Sequence, residues 1–155
     1  MQKNLFLVFG LMISIAFTSC SGYSDAEKAE FDAIIQAHIA VQNKTFERLE
    51  NGLYYHIIDK GDLTQDNIHW NNRVTFTYKG SFLSGDVFQA ITEDAPLTFF
   101  VRELIVGWQD GLSLIKPNGE IILIIPPQLA YGSKNTDLIP PNSILQYHLK
   151  VLKVE

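Results

Sequence analysis

The sequence predicts an α+β domain of two layers, preceded by one additional helix. Two observations carry that class. Five or so β-prone segments are separated by turn signals, and one short apolar stretch at helical spacing lies among them. An apolar helix so short has to be buried against the concave face of the sheet, which makes two layers. The composition permits it, because 155 residues at 46% hydrophobic and 12% aromatic content can fill a core.

Residues 1–20, MQKNLFLVFGLMISIAFTSC, are expected to stand outside that fold. Lys3 supplies a positive start, and Leu5 to Phe17 form an apolar run shorter than the ~20 residues that span a bilayer. The run ends at Cys20, the single cysteine, which has no partner for an internal disulfide. A cysteine in that place, after the small Ser19, reads as the lipidated residue of a bacterial lipoprotein. Uncleaved anchorage and ordinary secretory cleavage nearby are the alternatives. The expected organisation is a signal peptide at 1–19, a tether with an amphipathic helix at 20–52, and a folded domain at 53–155. The mature protein is then expected at the cell envelope, attached to a membrane through lipid on Cys20.

Ser24 opens "SDAE", with Glu27 three residues later, the capping-box pattern of a helix start. Phe31, Ile34, Ile35, His38 and Ile39 follow on one helical face, and the helix is expected to end near Asn43. His38 on that stripe reads as a packed residue rather than a ligand. The stripe packs on its own domain or serves as a dimer or partner surface. "ENGLYYHIID" supplies an Asn-Gly turn and a strand, and "KGDLTQDNIHWNN" a polar loop. "RVTFTYKGSFL" predicts a second strand, "SGD" a turn into "VFQA", and "LTFFV" a short strand after the loop "ITEDAP". In "VGWQDGLSL", Leu104, Ile105, Trp108, Leu112 and Ile115 keep helical spacing, with Gln109 and Asp110 facing away. "KPNGE" stops that helix. "EIILII" is a β-branched run suited to a strand buried on both faces. Four prolines make "PPQLAYGSKNTDLIPPNS" irregular, and "ILQYHLKVLKV" is the last strand.

Several chemistries are excluded. A formal net charge of -5 is a poor match to nucleic acid. Histidines 38, 56, 69 and 148 form no pair at ligand spacing, and neither HExxH nor CxxC occurs, so no metal or cofactor is expected. There is no GxSxG elbow and no complete phosphate loop. A reaction suited to this chain needs no titrating group. Rotation about an Xaa-Pro peptide bond is one, because its ~18–20 kcal/mol barrier is amide resonance and no bond is made or broken. An apolar, water-poor pocket favours the less polar twisted state over the planar amide. Such a pocket requires aromatic walls and a few fixed donors.

Four stretches resemble one family in their order and spacing: "VTFTYKGSFLSGDVF", "LIVGWQDGLSLIKPNGE", "IPPQLAYG" and "IPPNSILQYHLKVLKVE". Together, over roughly Leu53 to Glu155, they resemble the FKBP-type peptidyl-prolyl cis-trans isomerases, above all the bacterial macrophage-infectivity-potentiator kind. The resemblance implies a twisted antiparallel sheet, a half-barrel, wrapped around one short helix. It makes Tyr78, Phe88, Leu97, Phe99, Trp108 and Tyr147 the walls of a proline pocket, with Trp108 as its floor. Leu104 and Ile105 become the rim, the Ile105 N–H holds a substrate carbonyl, Tyr131 offers its hydroxyl to the twisting amide, and Ile139 closes the far side. Phe99 and Tyr147 fit a core role equally well. The implied partners are proline-containing polypeptide clients and a macrolide inhibitor.

The chain departs from the family pattern at three places. Gln89 follows Phe88 where the family usually has an acid that joins a network with the equivalent of Tyr78. Leu97 stands where an aromatic often lines the pocket. The loop Gly132 to Ile139 is more polar than the usual apolar flap. These departures predict reduced isomerase activity, with an FKBP-like chaperone or binding module in an envelope assembly as the alternative.

Overall fold

The computed structural model describes residues 22–155. The expected signal segment and Cys20 lie outside the described residues. Helix α1 (Asp25–Ala40) starts as the sequence predicts. The Ser24 N–H donates to Glu27 Oε2 at 2.8 Å, and the Glu27 N–H donates to Ser24 Oγ at 3.3 Å, satisfying two groups that a helix start leaves open. The helix ends at Ala40, three residues short of Asn43, and Val41 beyond it is exposed.

Seven strands follow: β1 (Glu47–Arg48), β2 (Tyr54–Asp59), β3 (Arg73–Phe82), β4 (Val87–Ile91), β5 (Leu97–Phe100), β6 (Glu120–Ile125) and β7 (Leu145–Val154). Helix α2 (Val106–Ser113) lies between β5 and β6. All pairings are antiparallel, in the order β1-β2-β6-β7-β3-β4, and β5 also pairs with β3. β4 takes the half of β3 at Tyr78–Ser81 and β5 the half at Arg73–Phe76, so both share one edge of that strand. The two-residue β1 was not predicted. It pairs across the Asn-Gly turn, where Gly52 sits at φ 95°.

Alternation along β3 and β7 turns Val74, Phe76, Leu145, Tyr147, Leu149 and Val151 to the concave side, all nearly or fully buried. Ile121, Leu123 and Ile125 of β6 join them in one core with Trp108 and Leu112 of α2. Helix α1 covers the opposite face. Its Ile35 is fully buried in a second cluster with Tyr54 and Ile124. β6 is therefore buried on both faces, as its unbroken β-branched run predicts. Ile34, also on the predicted stripe, remains 45% exposed because the helix meets the sheet along a narrow line.

Candidate active site

Trp108 is set by glycines on either side. Gly107 and Gly111 are buried against β6, where a Cβ on Gly107 would lie 2.5 Å from Ile125 and one on Gly111 2.6 Å from Leu123. Their lack of side chains lets α2 lie close on the sheet and brings Trp108 down between β3 and β7. Phe76, Tyr78 and Tyr147 then meet the indole edge-on, at centroid separations of 5.1, 5.0 and 5.0 Å. Edge-to-face contacts suit the ring quadrupoles and lock the indole plane. Trp108 is 5% exposed, and its Nε1 donor has no partner among the described residues.

Above the indole opens a cavity of about 370 Å³. Eight of the sequence-predicted residues line it: Tyr78, Leu97, Phe99, Leu104, Ile105, Trp108, Tyr131 and Tyr147. Phe99 is a rim residue at 43% exposure, whereas Tyr147, at 3%, belongs to both core and wall. Ile105 caps α2 in an extended conformation, so neither it nor Leu104 continues the helix. The Trp108 and Gln109 N–H groups both donate to the Ile105 carbonyl, while the Ile105 N–H makes no hydrogen bond among the described residues.

Three predicted residues are not on the cavity wall. Phe88 stands one layer behind, edge-on to Tyr147 at 5.7 Å and over Gly80, where a Cβ would come within 2.6 Å of its ring. Ile139 is 5% exposed and packs in the core, with its N–H bonded to Thr136 Oγ1 at 2.9 Å. Gln89 reaches the cavity only through Tyr78, whose hydroxyl donates to Gln89 Oε1 at 2.6 Å. Thus the link from Tyr78 to position 89 forms with a neutral amide as acceptor.

Three further residues went unseen in the sequence. Phe76 and Glu103 line the cavity. The Glu103 carboxylate accepts from the Phe100 N–H at 3.0 Å and so shapes the turn before α2. Gln109, expected to face away, folds back so that its Nε2 donates to the Leu104 carbonyl at 2.8 Å. Strand alternation could have found Phe76, two residues before Tyr78. The other two depend on the path of a loop.

Hydroxyls of Tyr78, Tyr131 and Tyr147, with the Glu103 carboxylate, are the polar side-chain groups of a cavity lined mainly by apolar and aromatic residues. Burial, reinforced by Tyr131, raises the hydroxyls of both Tyr78 and Tyr147 above the ordinary phenol range. Both therefore stay protonated and can donate. No histidine lines the cavity. No cluster of His, Cys, Asp or Glu suited to a metal occurs among the described residues, and no helix there is long and apolar enough to cross a membrane.

The family model described as FKBP-type peptidyl-prolyl cis-trans isomerase matches residues 65–152. A relative named FKBP-type peptidyl-prolyl cis-trans isomerase FkpA, from Buchnera aphidicola subsp. Schizaphis graminum, is 37% identical over 83% of this chain and 53% of its own length. Peptidyl-prolyl cis-trans isomerase Mip of Coxiella burnetii is 33% identical over 69% of this chain and 46% of its own. The crystal structure of FkpA from Escherichia coli superimposes with a TM-score of 0.72 at 31% identity, covering 84% of this chain and 60% of that one. This chain spans about half the length of the curated relatives it matches. The matched region contains α2 and every residue of the aromatic cavity, and with it the chain belongs to the FKBP-type peptidyl-prolyl cis-trans isomerase family.

Proposed function

We propose that this protein is a peptidyl-prolyl cis-trans isomerase that assists folding of proline-containing polypeptides outside the cytoplasm. The aromatic cavity floored by Trp108 carries this reading. A proline ring resting on the indole places the preceding amide between the Ile105 N–H and the Tyr131 hydroxyl. A proline ring seated there would displace water from the amide, which favours the twisted amide over the planar one. Each ~1.36 kcal/mol removed from the barrier gives tenfold, so ~5–7 kcal/mol corresponds to about 10⁴–10⁵. Leu97, Phe99 and Leu104 contact the flanking residues, Tyr78 and Tyr147 form the wall, Phe88 backs Tyr147 from one layer behind, and Ile139 supports it from the core. A macrolide would occupy the same cavity.

A protease-coupled assay on an Ala-Leu-Pro-Phe peptide tests the reading. Turnover above the uncatalysed rate is expected, with a flat profile between about pH 6 and 9 because the wall tyrosines stay protonated across it. No turnover by folded protein would overturn the enzyme reading. A bell-shaped profile would instead indicate an acid–base pair and overturn the mechanism.

The lipoprotein signal at 1–19, the tether and helix at 20–52 and the isomerase domain at 53–155 belong to the same proposal. Lipid on Cys20 would keep the domain at the envelope membrane. Fatty-acid labelling that survives in Cys20→Ser would refute the anchor.

One observation favours a second reading. The Tyr78–Gln89 bond ends on an uncharged acceptor, weaker than the charge-assisted bond a carboxylate would make. A weakly active chaperone or binding module in an envelope assembly is compatible with that. Gln89→Asp discriminates. On the isomerase reading kcat/KM rises about threefold to tenfold, the weight of strengthening one hydrogen bond. Unchanged activity with client binding intact supports the binding module.

A further inference from the structure

The segment before α1 touches the loop that carries Tyr131, and the proposed chemistry does not account for that contact. Tyr131 follows a short 3₁₀ turn at Pro127–Leu129, and the Gly132 N–H donates to the Pro127 carbonyl at 2.9 Å. This holds the loop from its N-terminal side. From the other side, the Asn142 N–H donates to the Gly132 carbonyl at 2.8 Å. Asn142 is one of two non-glycine residues in the left-handed region among the described residues, at φ 60°, a conformation that asparagine tolerates better than most. Gly132 is thus gripped at both its polar backbone groups, one residue after Tyr131.

Asn142 is itself held from outside the loop. The Tyr23 hydroxyl donates to Asn142 Oδ1 at 2.5 Å, across 119 residues of sequence. Tyr23 does not swing freely, since its ring meets Phe31 of α1 edge-on at 5.2 Å and 83°. The capping box at Ser24 fixes the chain directly after it. Helix α1 in turn is docked by the buried Ile35, and Asp32 accepts from Arg48 at 2.7 Å and from the Tyr54 hydroxyl at 3.0 Å. A continuous chain of fixed groups therefore runs from the convex face of the sheet to the residue beside Tyr131. Burial and the Glu27 carboxylate raise the Tyr23 hydroxyl above its ordinary range, so it remains a donor at neutral pH.

We propose that Tyr23 is a positioning residue for the Tyr131 loop: through Asn142 it fixes Gly132, and so aims the Tyr131 hydroxyl at the cleft. The inference rests on the isomerase reading and extends it. The N-terminal segment then sets turnover without touching substrate. Any change in how α1 seats on the sheet would be felt at Tyr131.

The test uses four variants of the full chain: Tyr23→Phe, Asn142→Gly, Asn142→Asp, and the double variant Tyr23→Phe/Asn142→Gly. Phenylalanine keeps the ring on Phe31 and removes only the donor. Glycine keeps φ 60° and removes the acceptor, while aspartate retains an acceptor. Expected is a fall in kcat/KM of about threefold to tenfold for Tyr23→Phe and for Asn142→Gly, the weight of one hydrogen bond. No further fall is expected in the double variant, and Asn142→Asp should keep wild-type activity. A residue that mattered only to stability would not show that pattern of rescue and non-additivity. Amide exchange is followed in parallel, with faster exchange at Gly132 and Lys134 and unchanged exchange in β6 and β7 expected in Tyr23→Phe. An active wild type with unchanged kcat/KM in Tyr23→Phe overturns the inference, as do additive losses in the double variant. A wild type without turnover would overturn the isomerase reading instead, and the exchange of Gly132 would then decide the loop contact.

Discussion

Trp108→Ala is expected to abolish measurable isomerase turnover, with kcat/KM falling at least ~100-fold, and to cost about 3–5 kcal/mol of stability. The two effects share one cause. The indole is 5% exposed and touches three rings edge-on, so its removal leaves a void beneath the cavity and frees Phe76, Tyr78 and Tyr147. A domain with ~5–15 kcal/mol in hand can survive that loss only in part, so activity has to be read per folded molecule, with near-UV circular dichroism as the check. Trp108→Phe separates the terms. It retains an aromatic floor and removes the Nε1 donor, which is buried without a partner among the described residues. An unpaired buried donor costs ~1–3 kcal/mol, so its loss offsets part of the smaller ring's packing deficit. Trp108→Phe should cost no more than about 2 kcal/mol and keep some turnover. If Trp108→Ala folds and turns over normally, the indole is core filler and the cavity is not where proline binds.

Elements whose signal is local were legible from the sequence. The α1 start could be read because a capping box is a contact between Ser24 and Glu27, three residues apart. β6 could be read because two-sided burial writes an unbroken β-branched run. That same run has a further consequence: a strand apolar on both faces needs a cover on the second face, and the Ile35 stripe, packed on its own domain, supplies it. Helix α1 and the sheet meet at that point, which neither segment shows alone. Of the site, the aromatic residues around the cavity could be named because the order and spacing of the family motifs place them. Glu103 and Gln109 could not, since each acts by folding onto a backbone group of its own loop, Phe100 N–H and Leu104 carbonyl. Phe88 and Ile139 are the reverse case: family spacing places them at the pocket, and the fold places them behind its wall. A position can match a pocket residue of the family and still sit one layer behind the wall, because Gly80 lets the Phe88 ring drop onto Tyr147.

Gly107→Ala is expected to destabilise the protein by about 1–2 kcal/mol, although the same change in an ordinary helix is stabilising. Replacing a helical glycine by alanine gains up to ~1 kcal/mol through propensity and a less flexible unfolded chain. Here the new Cβ would lie 2.5 Å from Ile125 Cγ2 and 2.9 Å from Cδ1, where carbons normally stop at ~3.5–4.0 Å. Ile125 is fully buried and β-branched, so its Cγ2 cannot move aside without leaving the rotamer. Overpacking of this kind costs ~1–3 kcal/mol, which outweighs the propensity gain. The cheaper relief is for α2 to lift from β6, and it carries Trp108 with it. A floor displaced by ~1 Å can cost up to ~100-fold in rate, so kcat/KM should drop by more than the stability change alone implies. The background at 125 decides whether the clash is the cause. Ile125→Val retains Cγ2 and should leave the penalty of Gly107→Ala in place. Ile125→Ala removes it, and there Gly107→Ala should turn stabilising, as in any other helix. A penalty of equal size in all three backgrounds would place its origin in the α2 backbone rather than in its contact with the sheet.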